Sequence, residues 1–244
     1  MSGFVQHLQL EQYFQLEGLA YQFVPIKTKS RDGQTGRVET DIMYDNLMNK
    51  FVWGGMDKEV YMNETNMRMT YNLRNNFARL ADALLKEGKI DSAVNVMDRC
   101  IEVMPDKTIP YNFFMTPLAE CYYRAAQYKK AQIMMEKIKL DTAQVEGIEN
   151  SLEEEEKSWT SLEDKGAAII SRLAVIYEDD LDYYLDLEGD YAKGAETETQ
   201  RAMSVMQRLA QIAKMYKQAE LGAELSAKFD GLQQRFSQWS SVNR

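Results

Sequence analysis

The sequence predicts a mainly α-helical protein: a stack of antiparallel helical hairpins behind a small β-hairpin or irregular N-terminal segment. Three observations carry that reading. Apolar residues of the middle third recur at steps of three and four, the spacing of one helical face. Glycine and proline fall where such helices would have to turn or stop. Within the first forty positions, Leu19 to Ile26 is rich in Tyr, Phe, Val and Ile and reads as extended, with Arg37 to Thr40 as a possible return.

Residues 1–62 form an N-terminal helix and hairpin segment expected to pack on the stack. Phe4 to Gly18 reads as a short amphipathic helix closed by glycine. Leu19 to Ile26 reads as extended, Lys27 to Gly36 as a polar turn containing Asp32-Gly33, and Arg37 to Thr40 as a returning strand. Asp41 is a candidate cap for a helix through about Phe51, which Gly54-Gly55 then ends.

Residues 63–140 predict two hairpins. In the first, Asn63 caps a helix to Glu87, with Leu73, Phe77, Leu80 and Leu84 on one face. Gly88 makes the turn, and a second helix from about Asp91 sets Ala93, Met97, Ile101 and Met104 inward before Pro105 stops it. The second copy, from about Asn112 to Leu140, places Leu118-Ala119, Ala126, Ala131 and Met135 opposite Leu80-Ala81, Gly88, Ala93 and Met97, at an offset of 38 residues. Pro117 either opens its first helix or kinks it. Residues 141–165 read as an acidic linker or insertion, with Glu153 to Glu156 as a solvated face. Residues 166–244 return to helix: Ile169, Leu173, Ile176 and Tyr177 form a stripe, and helices from about Ala195 to Tyr216 and Gln218 to Trp239 cap the stack.

The pattern Leu80, Ala81, Leu84, Gly88, Ala93, Met97, Cys100 and Pro105 resembles the tetratricopeptide repeat, whose period is about 34 residues. Its small residues let paired helices approach, while large ones fill the groove between hairpins.

Composition narrows the function. The formal net charge of -9 argues against a nucleic-acid surface, which needs concentrated Lys and Arg. No run approaches the roughly 18 to 20 apolar residues that cross a bilayer, and Met1 to Ala20 lacks a secretion signal, so the isolated chain is expected to be soluble. Cys100 and Cys121 both fall in helical patterns and read as buried packing residues. With His7 as the single histidine, triad and His-based metal sites lose their usual base or ligand. Gly54-Gly55 lacks the strand-to-helix context of a phosphate loop. Asp179, Asp180 and Asp182 do not share one helical face. No catalytic residue, cofactor site or metal site is assigned, and the chain is read as a binding module.

A second resemblance is narrower. Glu17 to Tyr21, Val24-Pro25-Ile26, Gly36-Arg37-Val38, Asp41 to Phe51, Trp53-Gly54-Gly55 and Asn72 to Leu80 look like the C-terminal region of a family of bacterial multi-spanning membrane proteins. That family is known as domain of unknown function 2723 and is similar to protein O-mannosyltransferases. The resemblance covers roughly residues 15 to 185. It implies a non-catalytic accessory domain with tetratricopeptide-like repeats, on the periplasmic face of the inner membrane. It also implies that the membrane-embedded, glycosyltransferase-like portion, with any catalytic acid, lies outside this chain. Contact with the membrane would then run only through that missing N-terminal portion.

Two sets of candidate residues follow. A helical groove for a protein or peptide would be lined by Asn75, Arg79, Asp82 and Lys86 on the first copy and Glu120, Tyr123 and Arg124 on the second. A family-motif surface of Tyr44, Asp45, Asn49 and Trp53 offers itself to a glycan. The alternatives are a free-standing tetratricopeptide adaptor and a carbohydrate-binding domain built on that surface. The Tyr44 to Trp53 segment is expected to pack against the first hairpin, and residues 1–62 either fill the groove or leave it open.

Overall fold

The computed structural model describes residues 10–30, 32–58, 60–139 and 149–242. It is mainly helical, with a small three-stranded sheet near the N-terminus. The strands are β1 (Phe14–Leu16), β2 (Tyr21–Phe23) and β3 (Arg37–Val38). The helices are α1 (Thr40–Asp45), α2 (Glu64–Lys86), α3 (Ile90–Val103), α4 (Thr116–Lys139), α5 (Glu149–Leu185), α6 (Gly189–Met215) and α7 (Ala219–Val242). Contacts group the chain into two compact units: residues 1–110 with 127–140, and residues 111–126 with 141–244.

In the first unit the sheet departs from expectation. Of the Phe4 to Gly18 helix, residues 4–9 lie outside the described residues. Glu11–Tyr13 is one 3-10 turn, and Phe14–Leu16 is a strand. Cross-strand packing explains the strand: Leu16 is buried, and on the same face Phe14 packs across the sheet on the rings of Tyr21 and Phe23. The extended segment at Tyr21–Phe23 is present, but its partner is β1, antiparallel, and Arg37–Val38 joins the other side of β1 in parallel. The strand order is therefore β2-β1-β3.

α1 runs on into a π-helical turn over Asn46–Lys50. Its N-cap is Glu39 rather than Asp41, which sits in the first turn and pairs with Lys89 at 2.8 Å. Met43 and Leu47 are fully buried, and the Trp53 ring lies 5.2 Å from Phe77. The Tyr44 to Trp53 segment thus packs on the first hairpin, as expected.

That hairpin forms as read. The Asn63 side chain accepts from the Asn66 amide at 2.9 Å and starts α2. Gly88 ends it at φ 77, a left-handed conformation that other residues enter only with strain. Phe77, Leu80, Ala81, Ala93, Met97 and Cys100 are all fully buried between the two helices.

The second hairpin is corrected. α4 continues without a break from Thr116 to Lys139, straight through Ala126 where the turn was expected. The reason is local: Ala126 stands where the first copy has Gly88, and alanine favours continuing the helix over the left-handed conformation. Ala131 and Met135, expected inside, are accordingly exposed, whereas Leu118 and Ala119 are buried. Pro117 sits in the first turn, where its missing N–H has no helical partner to lose.

In the second unit, α5 occupies Glu149–Leu185, so most of the supposed linker is helix; residues 141–148 lie outside the described ones. Ile169, Leu173 and Leu181 are buried along it, with Ile176 and Tyr177 half-buried. α6 and α7 pack as a hairpin that turns at Tyr216–Gln218. The helix expected from about Ala195 starts earlier, at Gly189, and Ala192, Ala195, Ala202 and Met206 face inward along it. The indole of Trp239 on α7 donates to the Leu187 carbonyl at 3.0 Å, tying the end of that helix to the α5–α6 connection.

Candidate interaction cleft along the first long helix

The site builds outward from α2. Its residues Arg74, Asn75, Asn76 and Arg79 take hold of the polypeptide around them. Arg79 is 4% exposed. Its guanidinium donates to Asp32 Oδ2 at 2.6 Å, to the Tyr21 hydroxyl at 2.9 Å, and to the carbonyls of Thr35 and Gly36 at 3.1 and 2.7 Å. Asn75 exchanges an amide hydrogen bond with Gln34 at 2.9 Å, and Asn76 donates to the Gly18 carbonyl at 3.0 Å. Arg79 and Asn75 thus pin the loop from Thr28 to Gly36 along the helix, and Asn76 holds the turn at Gly18.

Gly36 makes this close approach feasible. It sits at φ 76, and a Cβ there would fall 2.8 Å from the Tyr21 ring. Burial would raise the Asp32 carboxyl, but hydrogen bonds from Ser30, Arg79 and the Gln34 amide outweigh it and hold the group below its ordinary value.

Arg79 lines a cavity beside the loop, but its guanidinium is held by Asp32, Tyr21, Thr35 and Gly36 of the chain itself, so its main part there is to anchor the loop. Lys86 and Asp82 reach it too, paired with each other at 2.7 Å across one helical turn. This cavity, about 240 Å³, lies between the anchored loop and the C-terminal half of α2. Lys29, Glu39, Thr40 and Glu87 complete the part of its lining that matters here. The Thr40 hydroxyl donates to Glu87 at 3.0 Å and Lys89 approaches the same carboxylate at 3.0 Å, which fixes one wall. Residues 28–40 thus fill part of the expected groove and leave a pocket walled by both charge signs. Among the described residues, no group of three or more His, Cys, Asp or Glu is placed to hold a metal ion.

The remaining groove candidates belong to the second unit. Glu120 pairs with Arg208, and Arg124 is half-buried. Tyr123 is only 1% exposed and stacks on Tyr216, with ring centroids 4.9 Å apart, so it is core and offers nothing to a ligand. Burial, with added repulsion from Glu163 and Asp164, pushes its hydroxyl up to about 12, and that hydroxyl has no hydrogen-bond partner among the described residues. Replacing Tyr123 by Phe keeps the stacked ring and removes an unsatisfied polar atom. The variant is expected to match the parent or exceed it by up to about 1 kcal/mol in denaturant unfolding.

The family-motif surface is also corrected. Trp53 is 9% exposed and lies against Phe77 and Phe51, which removes it as a stacking platform for a sugar. Asn49 donates to Asp45 at 2.9 Å, and Lys50 pairs with Asp45 at 2.6 Å, a local surface cluster on one helical turn. Tyr44 is half-buried.

Sequence reasoning missed Arg74, Asp32, Thr40 and Glu87. Only Arg74 left a usable signal: it shares a helical face with Ala78 and Ala81, so a cation was due to be buried there and to need acceptors. The Arg79–Asp32 pairing spans 47 positions and has no local signature. No protein-family model, curated protein or solved structure matches this chain.

Proposed function

We propose that this chain is a non-catalytic interaction domain that holds a short segment of a partner protein in the cleft between the Thr28–Gly36 loop and α2. The observation that carries this reading is the cavity itself. Lys29 and Lys86 stand beside Glu39, Asp82 and Glu87 in a space of about 240 Å³, so the lining holds both donors and acceptors for a polar peptide. The loop is fixed by the buried Arg79, which keeps that lining in one arrangement before any ligand arrives, and preorganisation of this kind favours binding.

On the resemblance of residues 15 to 185, the domain belongs to a membrane glycosyltransferase-like protein and works at the periplasmic face of the inner membrane. There it would hold an acceptor protein near the active site. Among the described residues no helix is long and apolar enough to cross a membrane, so any spanning portion would be a separate segment.

A peptide array of mixed-charge twelve-residue sequences tests the cleft. Saturable binding that falls at least about tenfold in the double reversal Asp82→Lys, Lys86→Asp supports the reading, since that swap keeps the pair but inverts the field a ligand meets. Binding that ignores the swap places the peptide elsewhere and removes the cleft. Translating the reading frame upstream of residue 1 tests the larger assignment: several apolar spans in frame support it, and a stop codon leaves a free-standing adaptor.

A further inference from the structure

The segment from Leu19 to Arg31 holds three cations, Lys27, Lys29 and Arg31, and no carboxylate, in a chain whose net charge is -9. Within it Phe23 is 56% exposed and Ile26 51% exposed, with Lys27 and Lys29 exposed beside them. These apolar side chains are held in place. The Val24 amide donates to the Tyr13 carbonyl at 2.9 Å and the Thr28 amide to the Gln12 carbonyl at 2.8 Å, so the backbone through Ile26 is tied down on both sides. The rings of Tyr13 and Phe14 support Phe23 from beneath at 5.8 and 6.1 Å, leaving its outer face in solvent. Two of the nearby carboxylates are paired with arginines, Asp32 with Arg79 at 2.6 Å and Glu39 with Arg37 at 3.5 Å.

We propose that this corner of the sheet is a docking surface for an anionic lipid bilayer. Phe23 and Ile26 enter the headgroup region, and Lys27 and Lys29 meet lipid phosphates. Two features favour a bilayer over a peptide. β2 is an edge strand of only three residues, and Pro25 follows almost at once, so a peptide adding to that edge would gain few backbone hydrogen bonds. The exposed apolar side chains also sit next to cations, the combination that surface-bound proteins present to anionic lipid. The proposal is independent of the peptide cleft, although Lys29 touches both.

Co-sedimentation of the full 244-residue chain with vesicles tests it. Two compositions are compared: phosphatidylcholine alone, and phosphatidylcholine with phosphatidylglycerol in a ratio of about three to one. The expected result is binding at least about tenfold tighter to the anionic vesicles, weakened by added salt. Lys27→Glu with Lys29→Glu should lower it by about tenfold or more, and Phe23→Ser by a similar factor. Circular dichroism and the thermal midpoint of Phe23→Ser should stay near the parent, because the ring is already largely in solvent. Inorganic phosphate at millimolar concentration should fail to displace the vesicles; displacement would mean a simple anion site and overturn the proposal. Equal binding to both compositions, binding untouched by these variants, or capture of a poly-glutamate peptide with none of vesicles would each overturn it as well.

Discussion

Arg79→Ala is expected to cost about 3 kcal/mol of folding stability and to release the Thr28–Gly36 loop from α2. The guanidinium serves one carboxylate, one phenol and two carbonyls. Its removal leaves Asp32 without its counter-charge and the Gly36 carbonyl without this donor. The cost lies at the low end for a broken buried pair because the Asp32 side chain keeps 17% of its surface in solvent and can recover some hydration. Denaturant unfolding measures the loss, and hydrogen exchange at the Gln34 amide, which donates to Asp32 at 3.0 Å, reports the loop directly. Asp32→Asn should cost less, about 1 kcal/mol, since an amide oxygen still accepts from Arg79. If Arg79→Ala leaves both stability and loop exchange unchanged, the loop is held by something other than this residue.

The same anchor makes the loop acid-sensitive. Asp32 has its carboxyl held below the ordinary value of 3.8, so it binds protons more weakly folded than unfolded. Its contribution is complete above that ordinary value and is lost as pH falls through the depressed one. Loop protection relative to the Asp32→Asn variant should therefore stay constant down to about pH 4 and collapse below it. Protection lost near neutral pH would point to another titrating group.

The first hairpin was legible because every determinant was local. Asn63 supplied a cap, steps of three and four supplied the buried face, and Gly88 supplied a left-handed turn. The second hairpin misled because small residues at the right offset do not make a turn. Ala119 and Ala126 are indeed buried, yet alanine is the best helix former, and nothing at Ala126 tells the chain to reverse. The strand at Phe14–Leu16 was misread for a different reason. Three residues are too few to distinguish helix from strand by period, and the aromatic partners that decide the matter are supplied by β2. The cleft was half legible. The face holding Asp82 and Lys86 follows from helical spacing. Closure of that face by a loop 47 positions upstream of Arg79 depends on a tertiary ion pair, which leaves no trace in periodicity.

Arg74→Ala should be comparably severe, about 3 kcal/mol, through a different chemistry. Arg74 is 1% exposed and donates to the carbonyls of Met104, Ile109 and Pro110 at 3.0, 2.5 and 2.7 Å, closing the connection that follows α3. Pro105 and Pro110 interrupt that connection, so its carbonyls point inward with no strand or helix to receive them. One planar guanidinium satisfies three at once. Truncation strands at least two carbonyls in the core at about 1–3 kcal/mol each, offset in part because the buried charge disappears with its desolvation cost. Arg74→Lys should recover less than half of the loss, since an ammonium lacks the fork that reaches separated acceptors. Cys100 provides an independent readout. Burial pushes its thiol up to about 12, against the opposing pull of the Arg74 charge, so in the parent it should resist a thiol reagent until the protein unfolds. In Arg74→Ala the loosened connection should open a path to Cys100, and its labelling in the absence of denaturant should accelerate at least about tenfold. Labelling that stays as slow as in the parent, with stability intact, would mean that the connection holds itself closed without the arginine.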